Sequence, residues 1–189
     1  MLRAKVIRGV RGAACAPRRG GFTLVEISLA MTVLLVAMMA MSASTIRTHA
    51  LRRQNHERAM AQNAIRQISE EIHALADELQ APGAGSWSSD FIAGLSPGGS
   101  LGNTFAIGEL NAQVGAASVG TITVVLNEAI SDDELGVEFG MPRDLDSDGQ
   151  ADNADVTGTA LILPIIITAR WHGVSGDVEI KHPFYVIGY

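Results

Sequence analysis

From Phe22 to Ile46 the chain reads FTLVEISLAMTVLLVAMMAMSASTI, an apolar run of 25 residues with one charge, Glu26. As an α-helix such a run spans roughly 37 Å, against about 30 Å of bilayer hydrocarbon. A single membrane crossing is therefore predicted, and it constrains everything on either side. The alternative is a secretory signal removed near Ser42-Ala43-Ser44. The length of the run opposes that alternative, as does a helical pattern that continues past it.

The charges are distributed unevenly. The net value of −6 combines a head, residues 1–21, with six basic residues and no acid, and residues 22–80, with five Arg and six acids. Residues 81–189 hold three basic residues and fourteen acids. The positive-inside rule keeps the basic head in the cytoplasm and places the rest outside. The acidic remainder opposes binding to a phosphate backbone, which needs clustered Lys and Arg, so no nucleic acid partner is expected. A 47% apolar content excludes a disordered chain, and the one Cys excludes a disulfide framework or a Cys-rich zinc module.

Glu26 is the most informative residue of the run. A carboxylate in hydrocarbon costs about 2.5–3.5 kcal/mol on insertion scales, so one retained there needs a partner or a task. A cut just before Phe22 would create an amine four residues away, on the same helix face. In an uncut chain Glu26 would instead snorkel to the cytoplasmic interface.

The segment Arg18-Arg19-Gly20-Gly21-Phe22-Thr23-Leu24-Val25-Glu26 resembles the class III signal of type IV prepilins and type II secretion pseudopilins. The shared pattern is a basic leader, a small Gly, an apolar residue, and Glu at the fifth position after the cut inside an apolar helix. The double Gly and the long run depart from a twin-arginine signal. Cys15 lacks the preceding apolar region of a lipoprotein signal.

The resemblance implies that prepilin peptidase cuts between Gly21 and Phe22 on the cytoplasmic side and that the new Phe22 amine is methylated. It implies a single-pass inner-membrane precursor with a cytoplasmic leader and a periplasmic domain. Inner-membrane machinery then assembles it with other pilin or pseudopilin subunits into a periplasmic pseudopilus or a surface pilus. Glu26 would neutralise the Phe22 amine of a neighbouring subunit and so reward correct axial register. Breaking a buried pair of this kind costs about 3–5 kcal/mol.

Beyond Arg47 the helical pattern persists. Ala61, Ile65, Ile68, Ile72, Leu75 and Leu79 recur at intervals of three and four, an apolar stripe, and Pro82-Gly83 is predicted to stop the helix. Residues 83–118 read as an irregular connection with Trp87, Phe91 and Phe105 as anchors. Strands are predicted at Thr121–Asn127, Gly136–Phe139, Ala160–Trp171 and Val178–Ile187, with a hairpin loop at residues 172–176. Pro164 suggests an edge position or a bulge. The expected class is α+β with a pilin-like fold: a long N-terminal helix whose second half lies on a small antiparallel sheet. The chain divides into a leader (1–21), an apolar half-helix (22–46), its amphipathic continuation (47–81) and a β-rich domain (82–189).

Residues 144–155, DLDSDGQADNAD, place Asp144, Asp146, Asp148, Gln150, Asp152 and Asp155 at positions 1, 3, 5, 7, 9 and 12 of an EF-hand-type loop, with Gly149 at position 6. Alternate carboxylates can converge on a hard cation, Gly permits the sharp turn, and Gln150 would offer its backbone carbonyl. The loop resembles the calcium loops of dockerins and thrombospondin repeats, and calcium is the expected structural cofactor. The flanks are not helical, so no EF-hand domain is expected. A solvated acidic turn is the plain alternative.

Nothing points to an enzyme. Gly173-Val174-Ser175-Gly176 falls short of GxSxG, and His49, His56, His73, His172 and His182 make no zinc spacing. Two readings remain: a filament subunit, minor pilin or pseudopilin, and a secreted or membrane-anchored calcium-binding module without a filament role.

Overall fold

A computed structural model describes residues 21–80 and 86–188. The expected helix stop at Pro82-Gly83, the leader residues before Gly21 and Cys15 lie outside these. Helix α1 runs from Leu24 to Leu79. The contacts divide the chain between Ile46 and Arg47. In the first part, every described side chain up to Ile46 is exposed, and the apolar stretch reaches a mean hydropathy of 2.2. It is long and apolar enough to cross a membrane.

The second part is built on the stripe of α1. Ala61, Ile65, Ile72 and Ala76 are buried, with Ile68, Leu75 and Leu79 packed beside them in the same core as the sheet. A short helix α2, Trp87–Gly94, follows. Trp87 and Phe91 stack at 5.4 Å, and the Trp87 indole donates to the Ala76 carbonyl at 3.3 Å. Phe91 is fully buried, so the irregular connection is anchored where its aromatics predicted. Phe105 covers Gly120 so closely that a Cβ there would lie 2.3 Å from its ring.

Four strands form one antiparallel sheet in the order β1 (Thr104–Phe105), β2 (Gly120–Val124), β3 (Ile162–Gly173) and β4 (Gly176–Ile187). The long β3–β4 hairpin closes through Val174-Ser175, with Gly173 opposite Gly176. Its turn needs a positive φ at Gly176, 102°. Alternation along the hairpin assigns the two faces. Ile165, Ile167, Ala169 and Trp171 share the α1 core. Lys181 and Tyr185, which pair with Thr168 and Pro164, donate to the Leu135 and Phe139 carbonyls on the other side. Covered on both faces, β3 reads as a nearly continuous apolar run.

Two local expectations need correction. Pro164 lies in β3, an inner strand, not on an edge. Its carbonyl accepts from Val125 N at 2.9 Å, just past the last β2–β3 register pair, Val124–Ile165. N and O of one strand residue face the same neighbour, so the missing N–H falls where β2 has ended. Residues 136–139 form no strand. A one-turn helix α3, Asp132–Leu135, precedes them, with a Ser131/Glu134 capping box and Gly136 at φ 63° as its left-handed cap. The Asp132 carboxylate then takes the N–H groups of Phe139, Gly140 and Met141 at 3.1, 2.8 and 3.0 Å. Those donors are no longer available to a ladder.

Candidate functional site: an N-terminal signal and an acidic loop

The first site sits at the start of α1. Thr23 caps it: its hydroxyl accepts from Glu26 N at 3.3 Å, and its carbonyl accepts from Glu26 N and Ile27 N. Thr followed three residues later by Glu is a capping-box spacing, a signal that reading Glu26 for its charge alone passes over. Gly21 precedes the helix with open space around its Cα, and Phe22 is 79% exposed. Phe22 and Glu26 line one shallow face together with Ala30 and Leu34. Among the described residues nothing pairs with the Glu26 carboxylate.

The second site is the loop after α3. Asp144 and Asp146 are half-buried, whereas Asp148, Gln150, Asp152 and Asp155 are exposed. Asp144 folds the loop onto itself, accepting from Ser147 N at 2.5 Å and Gly149 N at 2.9 Å. Ser147 takes a positive φ of 64° and Gly149 one of 92° to allow this. Asp146 accepts from Asp148 N, from the Asn153 amide and from the Thr159 hydroxyl at 3.2, 3.2 and 3.0 Å. The same amide reaches Asp148 at 3.3 Å, so Asn153 bridges two carboxylates. Asp155 turns to Thr157, whose N–H and hydroxyl both donate to it.

A residue from outside the loop completes the cluster. Glu128, just after β2, is fully buried. One of its carboxylate oxygens accepts from Leu145 N at 2.6 Å and Asp146 N at 3.2 Å, and the other from Asn153 N at 3.2 Å. Glu128, Asp144 and Asp146 each place one oxygen within 4.8 Å of the others, a group that could hold a metal ion. Oxygens at 2.3–2.6 Å from a calcium ion are separated by up to about 5 Å, so the donor set and spacing fit a hard cation. Asp152 and Asp155 are not in this group. Glu128 stands sixteen residues before Asp144 and carries no motif, so nothing local in the sequence points to it.

The carboxyls respond to these surroundings. For Asp144 partial burial, the largest influence, pushes the pKa up. The backbone N–H groups of Gly149, Ser147, Asp146 and Asp148 outweigh it and leave the group below the ordinary Asp value. Asp155 is held below that value by the Thr157 hydroxyl and N–H.

Residues 16–42 match the family model described as a prokaryotic N-terminal methylation motif. No curated protein and no solved structure matches the chain. The matched stretch contains Gly21, Phe22 and Glu26, and such a motif implies processing by prepilin peptidase. The chain thus carries a class III methylation signal at the head of a long helix, whose second half packs on a small antiparallel sheet in an α+β, pilin-like arrangement.

Proposed function

We propose that this chain is a structural subunit, a minor pilin or pseudopilin, of a type IV pilus or type II secretion filament. Prepilin peptidase cuts between Gly21 and Phe22, and the Phe22 amine is methylated. The subunit waits in the inner membrane and then joins other subunits through its apolar half-helix. Glu26 meets the Phe22 amine of a neighbour and sets axial register. The observation that carries this reading is the state of residues 22–46: an apolar stretch exposed throughout, with one carboxylate that pairs with no described residue. Lipid first and neighbouring helices later supply the missing cover. The absence of any Cys after the cut, and a low-complexity connection after α1, suit a minor component better than the main building block.

The acidic loop is proposed to hold calcium as a structural ion. Asp144, Asp146 and the buried Glu128 would be its ligands, with Asp148 beside them; Gln150, Asp152 and Asp155 remain candidates from loop position. The ion would neutralise a concentration of negative charge and tie the loop to the end of β2.

The mature N-terminus tests the filament reading. Phe22, methylated and in the membrane fraction, supports it; a soluble product starting near residue 45 supports the calcium-module alternative. Glu26→Leu should be cut and inserted normally yet enter sheared filaments poorly beside the wild type, as read by mass spectrometry of the filament fraction. Equal incorporation removes the register role.

A further inference from the structure

The apolar run of α1 ends at Ile46, and a ring of basic side chains begins at once. Arg47, His49, Arg52, Arg53, His56 and Arg58 are all exposed. At about 100° per residue they surround the helix as a collar and do not share one face. The single acid among them, Glu57, is 7% exposed and is paired with Arg53 at 3.4 Å. Arg47, Arg52 and Arg58 form no ion pair with a described residue.

This collar is on the unexpected side. Orientation by the basic head leaves residues beyond Ile46 outside the cytoplasm, where an excess of Arg works against the positive-inside rule. Arg47 to Arg53 rise through about 10 Å of helix, comparable with the depth of a lipid headgroup layer, about 5–7 Å per leaflet. A guanidinium fork matches two phosphate oxygens at once. Charge also discriminates within the chain: residues 81–189 carry fourteen acids against three basic residues, so an anionic surface attracts the collar and repels the globular part.

We propose that Arg47, Arg52 and Arg53 form a docking collar for the phosphate headgroups of anionic phospholipids, in the leaflet on the side of residue 47. The collar rests on the reading of residues 22–46 as a membrane span. It would fix the depth of the subunit until assembly withdraws it.

The test uses the mature chain from Phe22, which lacks the six basic residues of the head, reconstituted in nanodiscs of phosphatidylcholine with a minor fraction of phosphatidylglycerol. Protease protection of residues 22–46 reports insertion, and native mass spectrometry reports which lipids stay bound. Phosphatidylglycerol should be enriched about fivefold over its bulk share. The enrichment should vanish in R47Q/R52Q/R53Q, persist when the same three are Lys, and persist in R66Q/R143Q. Protection without enrichment overturns the collar alone, as does enrichment that survives the three Gln substitutions. Cross-links from the collar to acidic residues of a second copy, in place of bound lipid, also overturn it. Loss of protection overturns the spanning reading and the collar with it.

Discussion

Both carboxylate oxygens of Glu128 accept from backbone N–H groups, and three points of the acidic loop hang on them: Leu145, Asp146 and Asn153. The bond to Leu145 lies wholly in the interior, since both residues have no exposure. A buried donor stripped of its acceptor costs about 1–3 kcal/mol. Glu128→Ala should therefore destabilise the domain by at least about 3 kcal/mol, measured as a lower urea midpoint at unchanged slope. A change within about 0.5 kcal/mol, the range of an ordinary surface substitution, would show that the loop holds itself without Glu128. Had the residue been a plain surface acid, its only signature would have been charge. Its effect here comes from place, and the sequence around it, LNEAI, shows no trace of that.

At the scale of elements, two devices set the domain. The first is the stripe of α1. Ile72 is completely buried among sheet residues, and Ile72→Ala removes those contacts and leaves a cavity. The expected loss is about 2–5 kcal/mol, read by chemical denaturation of the domain. The stripe was legible beforehand because helical period is a local property: each residue's face follows from its number. The second device is α3, whose capped single turn aims Asp132 at residues 139–141. The Met141 N–H lowers the Asp132 pKa most; desolvation opposes it, and the Gly140 and Phe139 N–H groups add to the lowering. A folded pKa below the unfolded value contributes stability above about pH 3.8, and that stability is lost as pH falls through the folded value. Asp144 and Asp155 act in the same direction. Melting temperature should therefore drop on acidification below about pH 4, and Asp132→Asn should cost more at neutral pH than well below its folded pKa. Equal cost at both pH values would deny Asp132 its charged role. The strand expected at residues 136–139 loses both its ends to Asp132: Gly136 N–H closes α3 on the Asp132 carbonyl and Phe139 N–H goes to its carboxylate, contacts that propensity cannot register.

At the scale of the whole chain, charge is sorted along the sequence. A basic head, an apolar helix, a cationic collar and an acidic globular part each suit a different medium. In the acidic part the fourteen acids repel one another, and a bound cation relieves that repulsion where they crowd. With calcium at about 100 times its dissociation constant the domain should gain about 2.7 kcal/mol. A calorimetric melt in excess chelator should therefore fall by several degrees and recover on adding calcium. A transition temperature indifferent to both would leave the loop a solvated turn.

The membrane-length run, the methylation signal with Gly21, Phe22 and Glu26, the stripe from Ala61 to Leu79 and the β3–β4 hairpin could all be read from spacing along the chain. Each depends on neighbours within a few residues, where backbone geometry leaves little choice. Which acids stand together was decided only by folding. Asp144 and Asp146 are joined by Glu128 because the segment after β2 comes back beneath the loop, while Asp155, in the same loop, turns to Thr157. Pro164 found room in an inner strand because β2 stops one residue short of it. Contacts between segments distant in sequence depend on where the chain returns in space, and residue spacing does not encode that.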